Sequence, residues 1–462
     1  MTPELQWIAP SVNKNAVNRF FQKMKDVNYE VHTLQIYRHN QQILRIAQAP
    51  YSCTDAREVY SLSKTFTSSV IGIASDMGLL SVEDYVLDYF PEIKTDSEYF
   101  KKLKIKHVLS MNTGHSACVM SKMRLRDNAV EGFFSVEPEF EPGTHFAYNT
   151  GATCLLGYII KKVTGKDFFD FACEKLFFPM EMYNIRWSLC HDGGAQCGTG
   201  LHICNDDIVK LGLLYLNKGV YKGKRILSEK WIEEATSAIS DNSTNGEADW
   251  CNGYGYQIWI NSRDGFRGDG AFGQLCMVFP KYDAVVAVQA IGPSMQDEIN
   301  IIYDLMEHLD GEEGVAETFA FAPYETQENV TPFHKIYKLS ENCAGFRTAD
   351  LLVTEEMVQL SFSDGGSVQT IRAGNGEWLL SEFHAKHMIP LLNDLMTTEY
   401  VELIRTAACF QVKEGEIVLC VRYLTNPHTE YFTITTENQY LKIQIESACR
   451  AQHLKYIGGK EV

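Results

Sequence analysis

Ser61-Leu62-Ser63-Lys64 sets a hydroxyl and an amine three residues apart. On a helix, side chains at i and i+3 share one face within contact range. A lysine held there takes the serine proton if burial or nearby cations keep it neutral. A serine at a helix N-terminus also meets free N–H groups, which suit an oxyanion. The pattern therefore fits nucleophilic acyl chemistry. It equally fits a serine that only caps a helix, so spacing alone leaves both readings open. Ser11-Val12-Asn13-Lys14 has the same spacing but sits in a polar N-terminal segment. Ser61 instead follows a strand pair and opens a run of small and apolar residues. A second cluster, Cys190, His191, Cys197, His202 and Cys204, has spacings that match no common zinc pattern. It reads as scattered buried thiols and a loop histidine, and no metal or cofactor is expected.

The elements that must position Ser61 follow from periodicity. Residues 15–27 carry apolar positions at helical spacing, and VHTLQIYRHN and QQILRIAQAP read as strands joined by a turn near His39-Asn40. SLSKTFTSSVIGIASDMGLL reads as a buried helix ended by Gly78. Residues 84–240 are mostly helix and loop; in NDDIVKLGLLYLNKG, Asn205 or Asp206 is the expected N-cap and Gly219 the stop. Strands return in GYGYQIWIN, GQLCMVFP and DAVVAVQA, and SMQDEINIIYDLMEHL is an amphipathic helix. One sheet assembled from both ends of this segment, with a helical insertion, is expected. The boundaries are 1–312 for this first domain, 313–330 for an acidic, patternless linker, and 331–462 for a β-rich accessory domain of short alternating runs.

A chain of 462 residues exceeds one core, so two or three domains are expected. Its formal charge of −17 repels phosphate backbones and excludes a nucleic-acid partner. The N-terminus lacks a basic start followed by an apolar run, and no stretch reads as a membrane span, so no membrane partner is expected. The 13 cysteines, without C-x-x-C pairs, point to reduced thiols and a cytoplasmic location.

Ser61 to Lys64 is an S-x-x-K motif, a mark of serine acyl-enzymes. The run SLSKTFTSSVIGIASDMGLLSVEDYVLDYFPE resembles the active-site helix of the class C β-lactamase and D-alanyl-D-alanine peptidase group. HVLSMNTGHS resembles that group's next helix and turn. EPGTHFAYNTGATCLLGYIIKKVTGK resembles the segment with its second motif, Tyr-x-Asn. GDGAFGQLCMVFPKYDAVVAV sits where the third-motif strand belongs, and the resemblance spans about residues 25–310 in order. It implies an α/β (mixed) fold: an antiparallel sheet flanked by helices plus a helical subdomain, β-lactamase/transpeptidase-like, followed by the small β-rich domain.

By that resemblance Ser61 is the nucleophile and Lys64 its base or proton relay. Tyr148 hands a proton to the leaving group, with its pKa lowered by the lysine cation. The backbone N–H groups of Ser61 and Ala271 form the oxyanion hole, beside Gly270. Tyr215-Leu216-Asn217 is a literal Tyr-x-Asn but falls at a helix end, and is set aside. Two motifs depart from the family. Thr150 holds the second-motif asparagine position, with Asn149 one place earlier. Gly268-Asp269-Gly270 stands for the usual Lys-Thr-Gly. The missing cation and the added Asp269 disfavour a carboxylate-bearing substrate. Two alternatives remain: Asp269 as a turn residue pointing away, and Arg267 as the replacement cation. The function expected is a serine hydrolase forming an acyl-enzyme with an ester, amide or small-peptide substrate. The rivals are a transacylase and a catalytically silent binding protein on the same fold.

Overall fold

The strand run from Ala284 to Ile291 is apolar at every second position on both faces. It has to be covered on both sides. In the computed structural model, which describes residues 6–123, 125–328, 330–342, 344–385, 402–448 and 455–462, it lies at the centre of a seven-stranded sheet. Met1–Leu5, Cys343 and Cys449 lie outside the described residues, as does part of the accessory domain expected over 331–462.

The sheet combines β1 (Gln6–Ile8), β2 (Glu30–Arg38) and β3 (Gln41–Ala47) with four later strands. These are β6 (Trp259–Ile260), β7 (Phe266–Gly270), β8 (Gln274–Phe279) and β9 (Ala284–Ile291). Their order is β1-β3-β2-β9-β8-β7-β6, every pairing antiparallel. The β2–β9 pairing joins the two ends of the segment, Leu34 opposite Val288. Alternation decides the layers. Ala284, Val286 and Val288 face a core shared with α1 (Lys14–Asp26) and α5 (Met295–Glu307). Val285 and Ala287 face a second core with α2 (Ser63–Asp76) and α4 (Asn205–Leu216). Gly212 of α4 allows the close approach, since a Cβ there would lie 2.3 Å from Val285 Cγ1.

The insertion between α2 and α4 is helical, centred on α3 (Thr150–Thr164), with β4 (Arg57–Glu58) pairing β5 (Leu201–Ile203) beside it. Three local expectations need correction. GYGYQIWIN forms strand only at Trp259–Ile260, because Gly253 and Gln257 take left-handed φ values of 104° and 60° and break the ladder. Neither Asn205 nor Asp206 is an N-cap. Cys204 holds that position, and the Asn205 carboxamide donates to the Ala287 carbonyl at 3.3 Å. Tyr60–Leu62 form a separate 3₁₀ turn ahead of α2, so Ser61 sits in that turn rather than at the α-helix start.

Residues 313–328 have no helix or strand, yet they run as a strap. Phe319 stacks on Phe21 at 3.9 Å, and the Phe321 N–H donates to the Ala49 carbonyl. The C-terminal strands are β10 (Phe333–Leu339), β11 (Thr348–Val353), β12 (Met357–Ser363), β13 (Val368–Asn375) and β14 (Leu379–Ala385). They continue as β15 (Glu402–Lys413), β16 (Glu416–Tyr423), β17 (Thr429–Glu437), β18 (Tyr440–Ser447) and β19 (Lys455–Glu461). Neighbours pair antiparallel, β10 pairs β19, and a short parallel pairing of β13 with β15 brings Ala373 opposite Ala408. The result is a barrel-like sheet. Alternate residues such as Ala349, Leu351, Leu360, Phe362 and Ile443 fill its inside. Among the described residues no helix is long and apolar enough to cross a membrane.

Candidate active site

Ser61 is half-buried in the 3₁₀ turn, and Lys64 lies one turn along at 1% exposure. The Lys64 Nζ donates to Ser61 Oγ at 3.0 Å and to the Gly198 carbonyl at 2.5 Å. Burial pulls the ammonium down to about 8, against small opposing effects from Cys154, Cys118 and Asp269. At pH 7 about one lysine in ten is then neutral, against about one in three thousand for a free side chain. The turn is pinned on both sides. Ser63 Oγ donates to the Tyr60 carbonyl and accepts the Leu201 N–H. Of the other pair with this spacing, Ser11 lies in the loop before α1 and Lys14 is the first residue of α1, its Nζ donating to the Pro10 carbonyl at 2.6 Å.

Tyr148 comes to the same place from the end of the loop before α3. Its hydroxyl lies within electrostatic reach of Ser61, and the Lys64 amine lies 4.8 Å from its ring centroid. The ring stacks on Trp259 at 5.5 Å and meets Tyr254 edge-on at 6.2 Å. One expectation is reversed here. Burial, then the Asp269 charge, push the phenol well above its usual range rather than below it. Tyr148 is a phenol at neutral pH, a donor. Tyr215 is elsewhere, buried in α4 with its hydroxyl 3.0 Å from Ser69 Oγ.

Asn149 is buried and acts as the N-cap of α3. Its Oδ1 accepts from Ala152 N–H at 3.2 Å and from Val119 N–H at 3.1 Å. Thr150, half-buried at the first helical position, crowds Gly198: a Cβ on that glycine would lie 2.8 Å from Thr150 Cγ2. Both residues thus shape the walls around Lys64. Gly198 itself was not visible to sequence reasoning. Its carbonyl works through the backbone, and nothing in a side chain marks it.

The third-motif strand explains its own composition. A Cβ on Gly268 would sit 2.3 Å from Thr65 Oγ1, and one on Gly270 would sit 2.0 Å from the Val59 carbonyl. At 270 the obstacle is backbone, so glycine is required there; a side chain at 268 would have to displace Thr65 Oγ1 and Leu62 Cδ1. Ala271, directly after Gly270, is exposed beside that turn. Asp269 is no turn residue: it is a β7 residue paired with Leu275, and its carboxylate lies within electrostatic reach of Lys64 and Tyr148. Its Oδ2 accepts from Arg267 Nε at 3.1 Å, with the two side chains 8% and 0% exposed. Arg267 also donates to Asn261 Oδ1 and the Asp249 carbonyl, and lies over Trp250 at 4.7 Å. The cation therefore neutralises Asp269 and does not stand open to a substrate.

Breaking that pair has a predictable cost. Arg267→Met leaves Asp269 buried without its partner and is expected to destabilise the fold by about 3–5 kcal/mol. Adding Asp269→Asn is expected to restore most of the loss. Chemical denaturation of both variants checks this, and a cost below about 1 kcal/mol for the single change contradicts it.

A family model described as Beta-lactamase matches residues 19–301. The chain belongs to the beta-lactamase family. Within that family it is 30% identical over 132 residues to a protein of Providencia stuartii named "Beta-lactamase", covering 29% of this chain and 34% of the relative. It is 21% identical to the "6-aminohexanoate-dimer hydrolase" of Paenarthrobacter ureafaciens over 284 residues, 54% of this chain and 70% of that one. The "octameric penicillin-binding protein homologue from Pyrococcus abyssi" superposes with a TM-score of 0.50 at 16% identity. It covers 96% of this chain and 99% of its own, so its fold extends over the barrel-like part too. "EstCE1, a hydrolase with promiscuous acyltransferase activity" superposes with a TM-score of 0.53 at 15% identity over 63% of this chain and 98% of its own.

The Cys190–Cys204 cluster is dispersed over separate partners. His191 Nε2 meets the Arg126 carbonyl, His202 Nδ1 the Gly200 carbonyl, and Cys154 shares a thiol contact with Cys190. Among the described residues no disulfide is formed.

Proposed function

We propose that this beta-lactamase-family chain is a serine hydrolase that forms an acyl-enzyme with a neutral ester or amide. Ser61 is the nucleophile, Lys64 its base and Tyr148 the proton donor to the leaving group. One observation carries the reading: a buried lysine, partly neutral at pH 7, lies 3.0 Å from the serine oxygen. As Ser61 Oγ bonds the substrate carbonyl carbon, its proton passes to neutral Lys64. The carbonyl electron pair moves onto oxygen, between the Ser61 and Ala271 N–H groups. Collapse breaks the bond to the leaving group, which takes the Tyr148 proton, and the Lys64 ammonium restores it. Water then attacks the ester along the reverse path.

The substrate class follows from what stands around the serine. Glycine at 268 carries no charge and packs against Thr65 and Leu62, and Arg267 is tied to Asp269. Neither residue 268 nor Arg267 then offers a cation to a substrate carboxylate, and Asp269, paired with Arg267, offers no free charge to a substrate ammonium. A lost charge-assisted hydrogen bond is worth about 10- to 100-fold in kcat/KM. Comparing kcat/KM on a short neutral ester, a cationic amide and a cephalosporin tests the assignment. The neutral ester is expected to be fastest by at least about tenfold. Faster turnover of the cephalosporin overturns it.

A further inference from the structure

The barrel reaches the serine. The hairpin of β16 and β17 turns through residues 424–428, and this turn docks on the chain leading into Ser61. The Glu58 N–H donates to the Thr425 carbonyl at 3.0 Å. Arg422 and Thr429, at the two hairpin shoulders, both bond the Glu30 carboxylate, at 2.6 and 2.9 Å. At the tip, His428 Nε2 and the Tyr60 hydroxyl share a 2.6 Å hydrogen bond, with the imidazole 2% exposed. The His428 ring also meets Phe272 edge-on at 5.0 Å, and Tyr60 and Phe272 meet at 5.3 Å.

These three rings join two particular residues. Tyr60 directly precedes Ser61, and Phe272 directly follows Ala271. Both take left-handed backbone angles unusual for aromatic residues, φ 47° and 72°. Such a conformation persists only where surrounding structure holds it. The oxyanion N–H assigned to Ser61 shares its peptide with Tyr60, and the residue that carries the other, Ala271, is followed by Phe272.

We propose that His428 is a positioning residue for the acyl-transfer site. The barrel turn clamps Tyr60 and Phe272 together and so fixes the two N–H groups that receive the oxyanion. This rests on the reading of Ser61 as the nucleophile. The barrel is then part of the working enzyme. It sets the rate of acylation and leaves ground-state binding almost unchanged, because the geometry matters most where the negative charge develops.

The test uses the full chain. His428→Ala, His428→Gln and Tyr60→Phe are compared with His334→Ala, a change on the barrel surface where His334 meets Asp350. Kcat and KM on a neutral p-nitrophenyl ester, the rate of labelling by a fluorophosphonate, and Tm are measured for each. His428→Ala and Tyr60→Phe are expected to lower kcat and the labelling rate by about 10- to 100-fold, with KM held within about twofold. His428→Gln, which keeps a polar atom near the Nε2 position, is expected to recover most of the rate. His334→Ala is expected to match the parent. If His428→Ala fails to fold, Tyr60→Phe and His428→Gln carry the comparison. Variants that lower Tm while kcat and labelling stay within twofold of the parent overturn the proposal and leave Ser61's role standing. Failure of the parent itself to label at Ser61 overturns both.

Discussion

Ser61→Ala is expected to lower kcat/KM on a neutral ester by about 10,000-fold or more, with the fold intact. The hydroxyls nearest along the chain are already engaged. Ser63 Oγ bonds the Tyr60 carbonyl and the Leu201 N–H, and Thr65 Oγ1 donates to the Gln257 carbonyl. Lys64→Met is expected to lose about as much, because residues that act as one proton-transfer unit are far from additive. The double variant should therefore be scarcely slower than either single one. Tyr148→Phe keeps the stacking on Trp259 and removes only the hydroxyl. It is expected to lose about 100- to 1,000-fold, a general acid's share. Steady-state kinetics on purified variants read all three. A Ser61→Ala enzyme within tenfold of the parent removes the nucleophile.

The second large effect is in pH. Lys64 loses its proton near pH 8, and only the neutral amine accepts the serine proton. Kcat/KM is expected to climb about tenfold per pH unit up to about 8 and then to level. Stability follows the same group with a definite sign. Between about pH 8 and 10.5 the unfolded lysine holds a proton that the folded one has released, so the folded state gains stability as pH rises through that window. Below pH 8 both states are protonated, and the buried ammonium costs about 3 kcal/mol. Lys64→Met relieves that cost but gives up the bond to the Gly198 carbonyl. It is expected to be more stable than the parent at pH 7 by about 1–2 kcal/mol, and to lose the rise above pH 8. A pH–rate profile flat from 6 to 9, or a destabilised Lys64→Met, contradicts the assignment.

Local signals made part of this site legible. An amine at i+3 from a serine, ahead of an apolar run, has a direct geometric meaning. The order of Ser61, Tyr148 and Gly270 along the chain marked the elements that gather them. The two-ended sheet was readable because strand patterns open and close this segment while helical patterns fill its middle. Contacts between distant segments were not readable. The Gly198 carbonyl reaches Lys64 across 134 residues, and His428 reaches Tyr60 across 368. Gly268 looked like a lost cation. The structure shows a tight approach, with Thr65 of α2 and Leu62 of the turn before it standing where a side chain at 268 would begin, about 200 residues earlier in the chain. Tyr148's direction was misjudged for a related reason. The lysine beside it and the Asp269 charge were visible in the sequence, while the burial by Trp259 and Tyr254 was not. The β-rich character of the C-terminal part was legible as alternation, but its closure as a barrel-like sheet was not, and its docking on the turn before the serine depends on Glu30, Arg422 and His428 meeting in space.

The central claim is a covalent bond to one oxygen, and mass spectrometry reads it directly. The full chain is incubated with a slow-turnover neutral ester, quenched in acid, weighed intact and mapped by peptides. One acyl group on the peptide bearing Ser61, absent from Ser61→Ala and slow to form below pH 7, is the expected result. An unmodified chain that still hydrolyses the ester, or an acyl group on any other residue, contradicts it.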